Sequence, residues 1–163
     1  MTTFAEELIE EFGEKVIALA QHLGLETDLD ETEFEIGADE EFEDEEEKQE
    51  RLQELADERH DKIEEIKDEL NNITNEYDHV YSYYSEEYIV ATDEEADEIE
   101  DECLDNYIEE CLEIPDNIRP YFDEEKWKDD ARMDGRGHII STYDGDENYV
   151  YVNGNTYYIY RIN

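Results

Sequence analysis

Apolar residues recur at steps of three and four along much of the first two-thirds of the chain, a spacing that predicts amphipathic helices. Residues 3–23 are predicted to form the first helix, which ends before Gly24 and is weakened in its middle by Gly13. Residues 48–75 are predicted to form a second, long helix whose approximate heptad pattern is interrupted by Arg59. This pattern fits a coiled coil, and a helical hairpin within the chain explains it equally well. The apolar positions of the long helix are Leu52, Ala56, Ile63, Ile66, Leu70 and Ile73.

A third helix is predicted to follow Thr92 and to extend to Glu113. Thr92 suits an N-cap, and Glu95 stands three residues later, which is the spacing of a capping box. The helix lies within a stretch from Asp68 to Asp116 that contains no Lys or Arg, while Asp or Glu fills roughly two of every five positions. One stripe of this helix is apolar, and carboxylates cover the rest of it.

The chain changes character towards its C-terminus, where aromatic and β-branched runs alternate with turn sequences. Asp123 is predicted to cap a short helix over residues 124–133, and residues 84–91 suit a strand or an extended connector. The turn sequences DGDEN and NGN favour hairpins, the second strongly. Together they predict a three-stranded antiparallel meander over residues 138–143, 148–152 and 156–162.

These elements predict an α+β fold, with a mainly helical, acidic N-terminal two-thirds and a small C-terminal antiparallel β-sheet. We expect an N-terminal helix in residues 1–25, a mobile acidic linker in residues 26–47, and a helical region followed by the meander in residues 48–163. The linker is of low complexity, and solvation of its many carboxylates explains its composition without a binding role.

The formal net charge of −42 limits the classes of partner that this protein can bind. Direct binding to nucleic acids or to anionic membranes is excluded as a favourable interaction, whereas basic protein surfaces are attracted. The third helix would be about 31 Å long at 1.5 Å per residue, and it carries about 12 acidic side chains. Duplex DNA of that length carries about 18 phosphates at one per 1.7 Å. The helix therefore carries about two-thirds as many negative charges as duplex DNA of the same length. This charge density favours a DNA-like surface that is offered to proteins that bind DNA.

We therefore predict that the third helix presents the partner-binding face, with its carboxylates in the place of phosphates. The partner would be a DNA-binding protein with a basic groove, and the resemblance described below implies a host defence protein. The residues of this predicted face are Asp93, Glu94, Asp97, Glu98, Glu100, Asp101, Asp105, Glu109 and Glu110.

The chain shows no arrangement of residues to which catalytic roles can be assigned, so we expect no enzyme activity, no cofactor and no dedicated metal site. Asp144, Asp146 and Asn148 resemble the opening of a calcium loop, but the glycine and the final glutamate of such a loop are missing, which favours a hairpin turn. Cys103 and Cys111 are eight residues apart on one predicted helix, which is too far for a disulfide, so we expect buried free thiols.

The same composition leads us to expect a cytoplasmic protein, in the host cell if a phage encodes it. No run of 18 apolar residues is present, and the N-terminus lacks the charge and apolar core of a signal peptide.

Two segments resemble proteins of phages and mobile elements. One is residues 87–98, and the other is residues 121–141, which is similar to the C-terminal region of ArdA-type antirestriction proteins. In that region a tyrosine-led Y-x-D segment precedes an aromatic residue, an Arg-Asp or similar pair and a glycine before a final strand. The matching residues are Tyr121, Asp123, Trp127, Asp130 and Gly135.

This resemblance implies an elongated, dimeric DNA mimic that occupies the DNA-binding groove of type I restriction-modification enzymes and has no catalytic residues. Residues 1–75 do not resemble that family, and Asp129-Asp130 stands where an Arg-Asp pair is expected. The alternative is a phage structural or interaction protein, or an acidic chaperone of basic proteins. In that case the Tyr-rich sheet and the heptad helix would form the contact surfaces.

Overall fold

The computed structural model describes residues 1–163 and has an α+β fold, as predicted, with 51% of the residues in helices. The helices are α1 (Phe4–Phe12), α2 (Glu14–His22), α3 (Glu45–Leu70), α4 (Asp93–Glu110), α5 (Glu124–Arg132) and α6 (Arg136–Ile140). The strands are β1 (Ile73–Tyr77), β2 (Val80–Tyr83), β3 (Glu86–Ala91), β4 (Asn148–Val152) and β5 (Asn155–Arg161).

One antiparallel sheet in the order β1-β2-β3-β5-β4 lies between two helical layers. Successive side chains of a strand point to opposite faces, so neighbouring residues of β3 and β5 enter different cores. Val90 and Ile159 are paired and join a cluster with α1, α2 and α3. Ala91 and Tyr160 join a second cluster with Ile140 of α6 and with α4. The layer order places α4 and α6 on the face opposite the N-terminal helices.

The predicted first helix is divided in two at Gly13, so the prediction of one continuous helix was wrong. Gly13 has φ +88° and ψ 155°, a conformation that only glycine adopts easily. Its N–H donates to the carbonyl of Ile9 at 2.8 Å and closes α1. The break lets the two short helices follow the sheet separately, with Leu8 and Ile17 both buried in the same core.

The long helix α3 is confirmed, but it ends at Leu70 and its apolar stripe packs within the chain. Asp44 caps it by accepting a hydrogen bond from the Glu47 N–H at 2.8 Å. Ile66 and Leu70 are buried against the N-terminal helices and the sheet, whereas Ile73 belongs to β1. The C-terminal part of the heptad pattern therefore packs within the chain, whereas Leu52 and Ala56 at its start are exposed.

Residues 138–143 do not form a strand, and this prediction was wrong. The turn at Gly135 is followed by α6, and Ile140 is buried in the cluster beneath α4. The β-branched residues of this segment favour a strand, but tertiary packing overrides that weak preference. The DGDEN sequence consequently joins a helix to β4, and it does not close a hairpin.

The sheet gains its other strands from the middle of the chain. The predicted extended segment before Thr92 is confirmed as β3, and β1 and β2 precede it in a region for which we predicted no strands. The hairpin at Asn153-Gly154 is confirmed: both residues have positive φ, and Val152 pairs with Asn155. Asp123 also caps α5 as predicted.

Residues 26–44 lie along α3 and contain one short 3-10 turn, Glu31–Phe34. Arg59 of α3 holds this turn through its ion pair with Glu31 at 2.8 Å, and Lys62 pairs with Glu26 at 2.9 Å. None of the helices has both the length and the apolar character needed to cross a membrane.

Candidate functional site

The start of α4 has the capping box predicted from the sequence. The Glu95 N–H donates to the Thr92 hydroxyl at 3.2 Å, and the Thr92 N–H donates to the Glu95 carboxylate at 3.0 Å. Lys15 of α2 also pairs with Glu95 at 3.0 Å. Burial alone would raise the pKa of Glu95, but the hydrogen bonds from Thr92 and Lys15 lower it. These contacts fix the first turn of α4 against the rest of the fold.

Arg136 at the start of α6 neutralises the first carboxylates of the predicted face. Its guanidinium lies 2.8 Å from Asp93, 3.0 Å from Asp97 and 3.0 Å from Glu147, and only 14% of its side chain is exposed. It also stacks over the ring of Tyr158, with 4.6 Å from the guanidinium carbon to the ring centroid. One cation thus joins α4 to the sheet and to the loop before β4.

Two cations of α5 neutralise the middle of the same helix. Lys128 is buried and pairs with Asp101 at 3.1 Å and with Asp105 at 2.5 Å. Arg132 pairs with Asp101 at 2.7 Å and with Glu100 at 3.3 Å. Burial raises the pKa of Glu100, and the charge of Arg132 opposes this shift. The carboxylates at these positions therefore hold α5 against α4.

The predicted face is consequently divided. Glu100 is 6% exposed, so the expectation that it lies on an open face was wrong. Glu109 pairs with Arg119, so most of the nine residues contact a cation of their own chain. Glu94, Glu98 and Glu110 are exposed and have no Lys or Arg within 4.0 Å. The cations lie on separate elements after α4, and sequence spacing did not indicate which carboxylates they would reach.

A second acidic surface lies on α3, and our sequence analysis did not identify it. Six exposed carboxylates follow each other at helical spacing on the side opposite the buried Leu55, Ile66 and Leu70. None of the six has a Lys or Arg within 4.0 Å. We call this surface the α3 stripe; it consists of Glu46, Glu50, Asp57, Asp61, Glu64 and Asp68. The acidic residues opposite the apolar positions were a visible signal for it.

The cations of α3 are directed away from this stripe. Arg51 pairs with Glu40, Arg59 with Glu31 and Lys62 with Glu26, all in the segment that lies along α3. Lys67 pairs with Glu11 of α1 at 2.8 Å. These four cations thus form their ion pairs with carboxylates outside the α3 stripe, and none of them lies within 4.0 Å of a stripe carboxylate.

The turn at residues 144–146 uses the carboxylate that resembled a calcium ligand. Asp144 accepts hydrogen bonds from the Ser141 hydroxyl at 2.7 Å and from the Asp146 N–H at 2.9 Å. The hydrogen bond from the Asp146 N–H is the main reason that the pKa of Asp144 is lowered. A turn is thus what this sequence forms, although it connects α6 to β4 and does not join two strands.

Comparison with known proteins returned no match. No protein-family model, no curated protein and no solved structure matches this chain. The resemblance to ArdA-type antirestriction proteins therefore stays a prediction, and the function is inferred from the surface itself.

Proposed function

We propose that this protein is a DNA mimic that inhibits a DNA-binding host defence enzyme by occupying its basic groove. The observation that carries the proposal is the α3 stripe, a straight row of exposed carboxylates that no cation of the chain neutralises. A groove built to bind phosphates offers cations at many positions, and a row of fixed carboxylates satisfies them in the same way.

The length and charge of the stripe are of the right order for this role. From Glu46 to Asp68 the helix rises about 33 Å at 1.5 Å per residue. One DNA strand of that length carries about ten phosphates at one per 3.4 Å, against the six carboxylates of the stripe. The exposed α4 acids Glu94, Glu98 and Glu102 form a separate row at four-residue spacing on the other face of the sheet.

The net charge of −42 adds long-range attraction to the contacts. Internal ion pairs rearrange charge without changing its sum, so a basic partner still experiences a strongly negative field at a distance. Such a field accelerates encounter, and its effect decreases as salt screens it. If the resemblance to ArdA-type proteins holds, the target is a type I restriction-modification enzyme and the inhibitor is a dimer.

The test combines capture with competition. Immobilised protein is exposed to a host extract, and each captured protein is challenged with excess duplex DNA. A mimic loses its partner to DNA because both occupy one groove. If DNA fails to displace the captured partner, the mimicry proposal is refuted.

Neutral isosteric variants then locate the contact surface. E50Q/D57N/D61N/E64Q removes four charges from the α3 stripe, and E94Q/E98Q/E102Q/E110Q removes four from α4. The matched control E33Q/E35Q/E41Q/E43Q removes four exposed charges from the segment before α3. We expect the α3 variant to weaken partner binding most. Equal losses in all three would mean that only net charge matters and would refute the stripe as the contact surface.

The alternative of an interaction or structural protein is favoured by one feature, the outer surface of the edge strand β4. Tyr149 and Tyr151 are 58% and 67% exposed there, side by side. Exposed tyrosines at a free sheet edge suit a protein contact. Under this alternative, Y149S/Y151S would abolish partner capture and duplex DNA would leave it unchanged.

A further inference from the structure

A cleft of about 360 Å³ opens between α4, α5 and α6. Its apolar wall includes Leu104, Ile139 and two aromatic rings, those of Tyr107 and Trp127. The two rings are stacked, with centroids 5.6 Å apart and planes inclined by 15°. Tyr107 is nevertheless 49% exposed, so part of its ring remains accessible from solvent.

The lining of the cleft contains one carboxylate and no Lys or Arg. Asp134 lines it, is exposed and has no Lys or Arg within 4.0 Å. Burial raises the pKa of the Cys103 thiol in the cleft wall, and the carboxylates of Glu102 and Glu100 raise it further. A neutral apolar ligand would fit the wall but would gain nothing from these charges.

We propose that this cleft binds an arginine side chain of a protein partner. A guanidinium is flat, is weakly hydrated on its faces and stacks on aromatic rings, here the accessible ring of Tyr107. Its edge carries N–H groups that can donate to the carboxylate of Asp134. Lysine fits less well, since its compact ammonium is strongly hydrated. The inference rests on the proposed function only for a basic protein partner as the source of the arginine; the cleft lies on the face of the sheet opposite α3, so this arginine is separate from the groove residues that would meet the α3 stripe.

The chain contains a single tryptophan, so the emission of Trp127 reports on this cleft alone. The probe is the blocked peptide acetyl-Gly-Arg-Gly-amide, titrated at about 0.15 M salt so that diffuse attraction is screened. The matched peptide replaces arginine by citrulline, which keeps the shape and lacks the charge. We expect a saturable emission change and about tenfold tighter binding of the arginine peptide. Equal binding of the two peptides, or no change in emission, would overturn the proposal.

Two variants test the two halves of the site. Y107L removes the accessible ring, D134N removes the carboxylate, and each should weaken binding of the arginine peptide at least about fivefold. The control Y77L removes a tyrosine that is 63% exposed on β1, which does not line the cleft. Because D134N is an isosteric change of an exposed residue, it keeps the test valid if Y107L fails to fold. A loss in Y77L as large as that in Y107L would show non-specific contact with exposed tyrosine rings and would refute the site.

A peptide with norleucine in place of arginine separates a cation site from an apolar one. Tighter binding of arginine supports the proposal, and equal binding by norleucine overturns it. The experiment uses the isolated protein, so its result is independent of the capture experiment. Partner capture that DNA does not displace would refute the DNA mimic and leave the arginine site standing, and failed peptide binding would do the reverse.

Discussion

Replacing Arg136 by methionine tests whether the carboxylates at the start of α4 belong to the fold. The arginine contacts Asp93, Asp97 and Glu147, and its stem and guanidinium cover Tyr158. Methionine keeps most of the apolar stem and removes the charge. The substitution leaves three carboxylates close together with no cation between them, so the folded state is destabilised.

The expected loss of folding stability in Arg136→Met follows from how exposed each ion-pair partner is. Asp93 and Asp97 are 69% and 67% exposed at the side chain, so each pair contributes only about 0.5 kcal/mol. The pair with Glu147, which is 32% exposed, contributes about 1 kcal/mol. The contact with the Tyr158 ring adds about 0.5 kcal/mol. The sum of about 2.5 kcal/mol corresponds to a fall in Tm of about 5–10 °C for a chain of this size.

Urea and thermal unfolding followed by circular dichroism measure the effect. The control is Arg119→Met, since Arg119 pairs only with Glu109 and both side chains are well exposed; its loss should stay below about 0.5 kcal/mol. High salt should reduce the loss in Arg136→Met because it screens repulsion among the carboxylates. Equal stabilities of the two variants would refute the reasoning and return Asp93 and Asp97 to the set available for a partner.

Three further substitutions test individual contacts of the fold. Gly13→Ala should lower the free energy of unfolding in urea by about 1–3 kcal/mol, because φ is +88° at this position. Nothing lies within 4 Å of the added Cβ, so the loss reports backbone strain alone. The control Gly37→Ala lies outside the positive-φ region and should change the stability little. Ile66→Ala should lower the free energy of unfolding by about 2–4 kcal/mol, since Ile66 is 3% exposed within its own chain. The molecular mass of the folded protein should stay the same, and a change of oligomeric state would support the intermolecular coiled coil instead. Burial raises the pKa of Glu100, against the charge of Arg132, so the folded state holds this proton more tightly than the unfolded state does. The charged carboxylate is therefore unfavourable to the fold above both pKa values, and this effect disappears as pH falls through the folded pKa. Glu100→Gln should accordingly be more stable than the parent at pH 7, and this gain should disappear as the pH falls through the pKa of Glu100 in the folded protein. A loss of stability at pH 7 in denaturant titrations would mean that the ion pair with Arg132 outweighs burial.

Features that depend on neighbouring residues were predictable from the sequence. The capping box of Thr92 and Glu95 and the cap at Asp123 involve backbone groups only three residues away. The Asn153-Gly154 turn is likewise local, because its positive φ values suit those two residues. Local hydrogen bonds and backbone preferences are present in the sequence itself, so they could be recognised without the fold.

The failures had a common origin in packing. The segment after Gly135 has strand-forming residues, yet it became α6, and Ile140 is buried in the cluster beneath α4. The predicted single helix was divided at Gly13, and the resulting change of direction lets Leu8 of α1 and Ile17 of α2 both enter the same core. Propensities of a fraction of a kcal/mol per residue are smaller than the burial of one large side chain.

The sequence by itself determined the extreme charge, the α+β character and the helical spacing of the acidic residues. Only the tertiary structure decided which carboxylates stay free. Arg136 reaches Asp93 across 43 positions, and Lys128 reaches Asp101 across 27, so the helix richest in acid lost much of its open charge. The α3 stripe kept its charge because the cations of α3 face the segments packed against it. Ion pairing depends on distance in space, and sequence separation carries little information about that distance once the chain has folded.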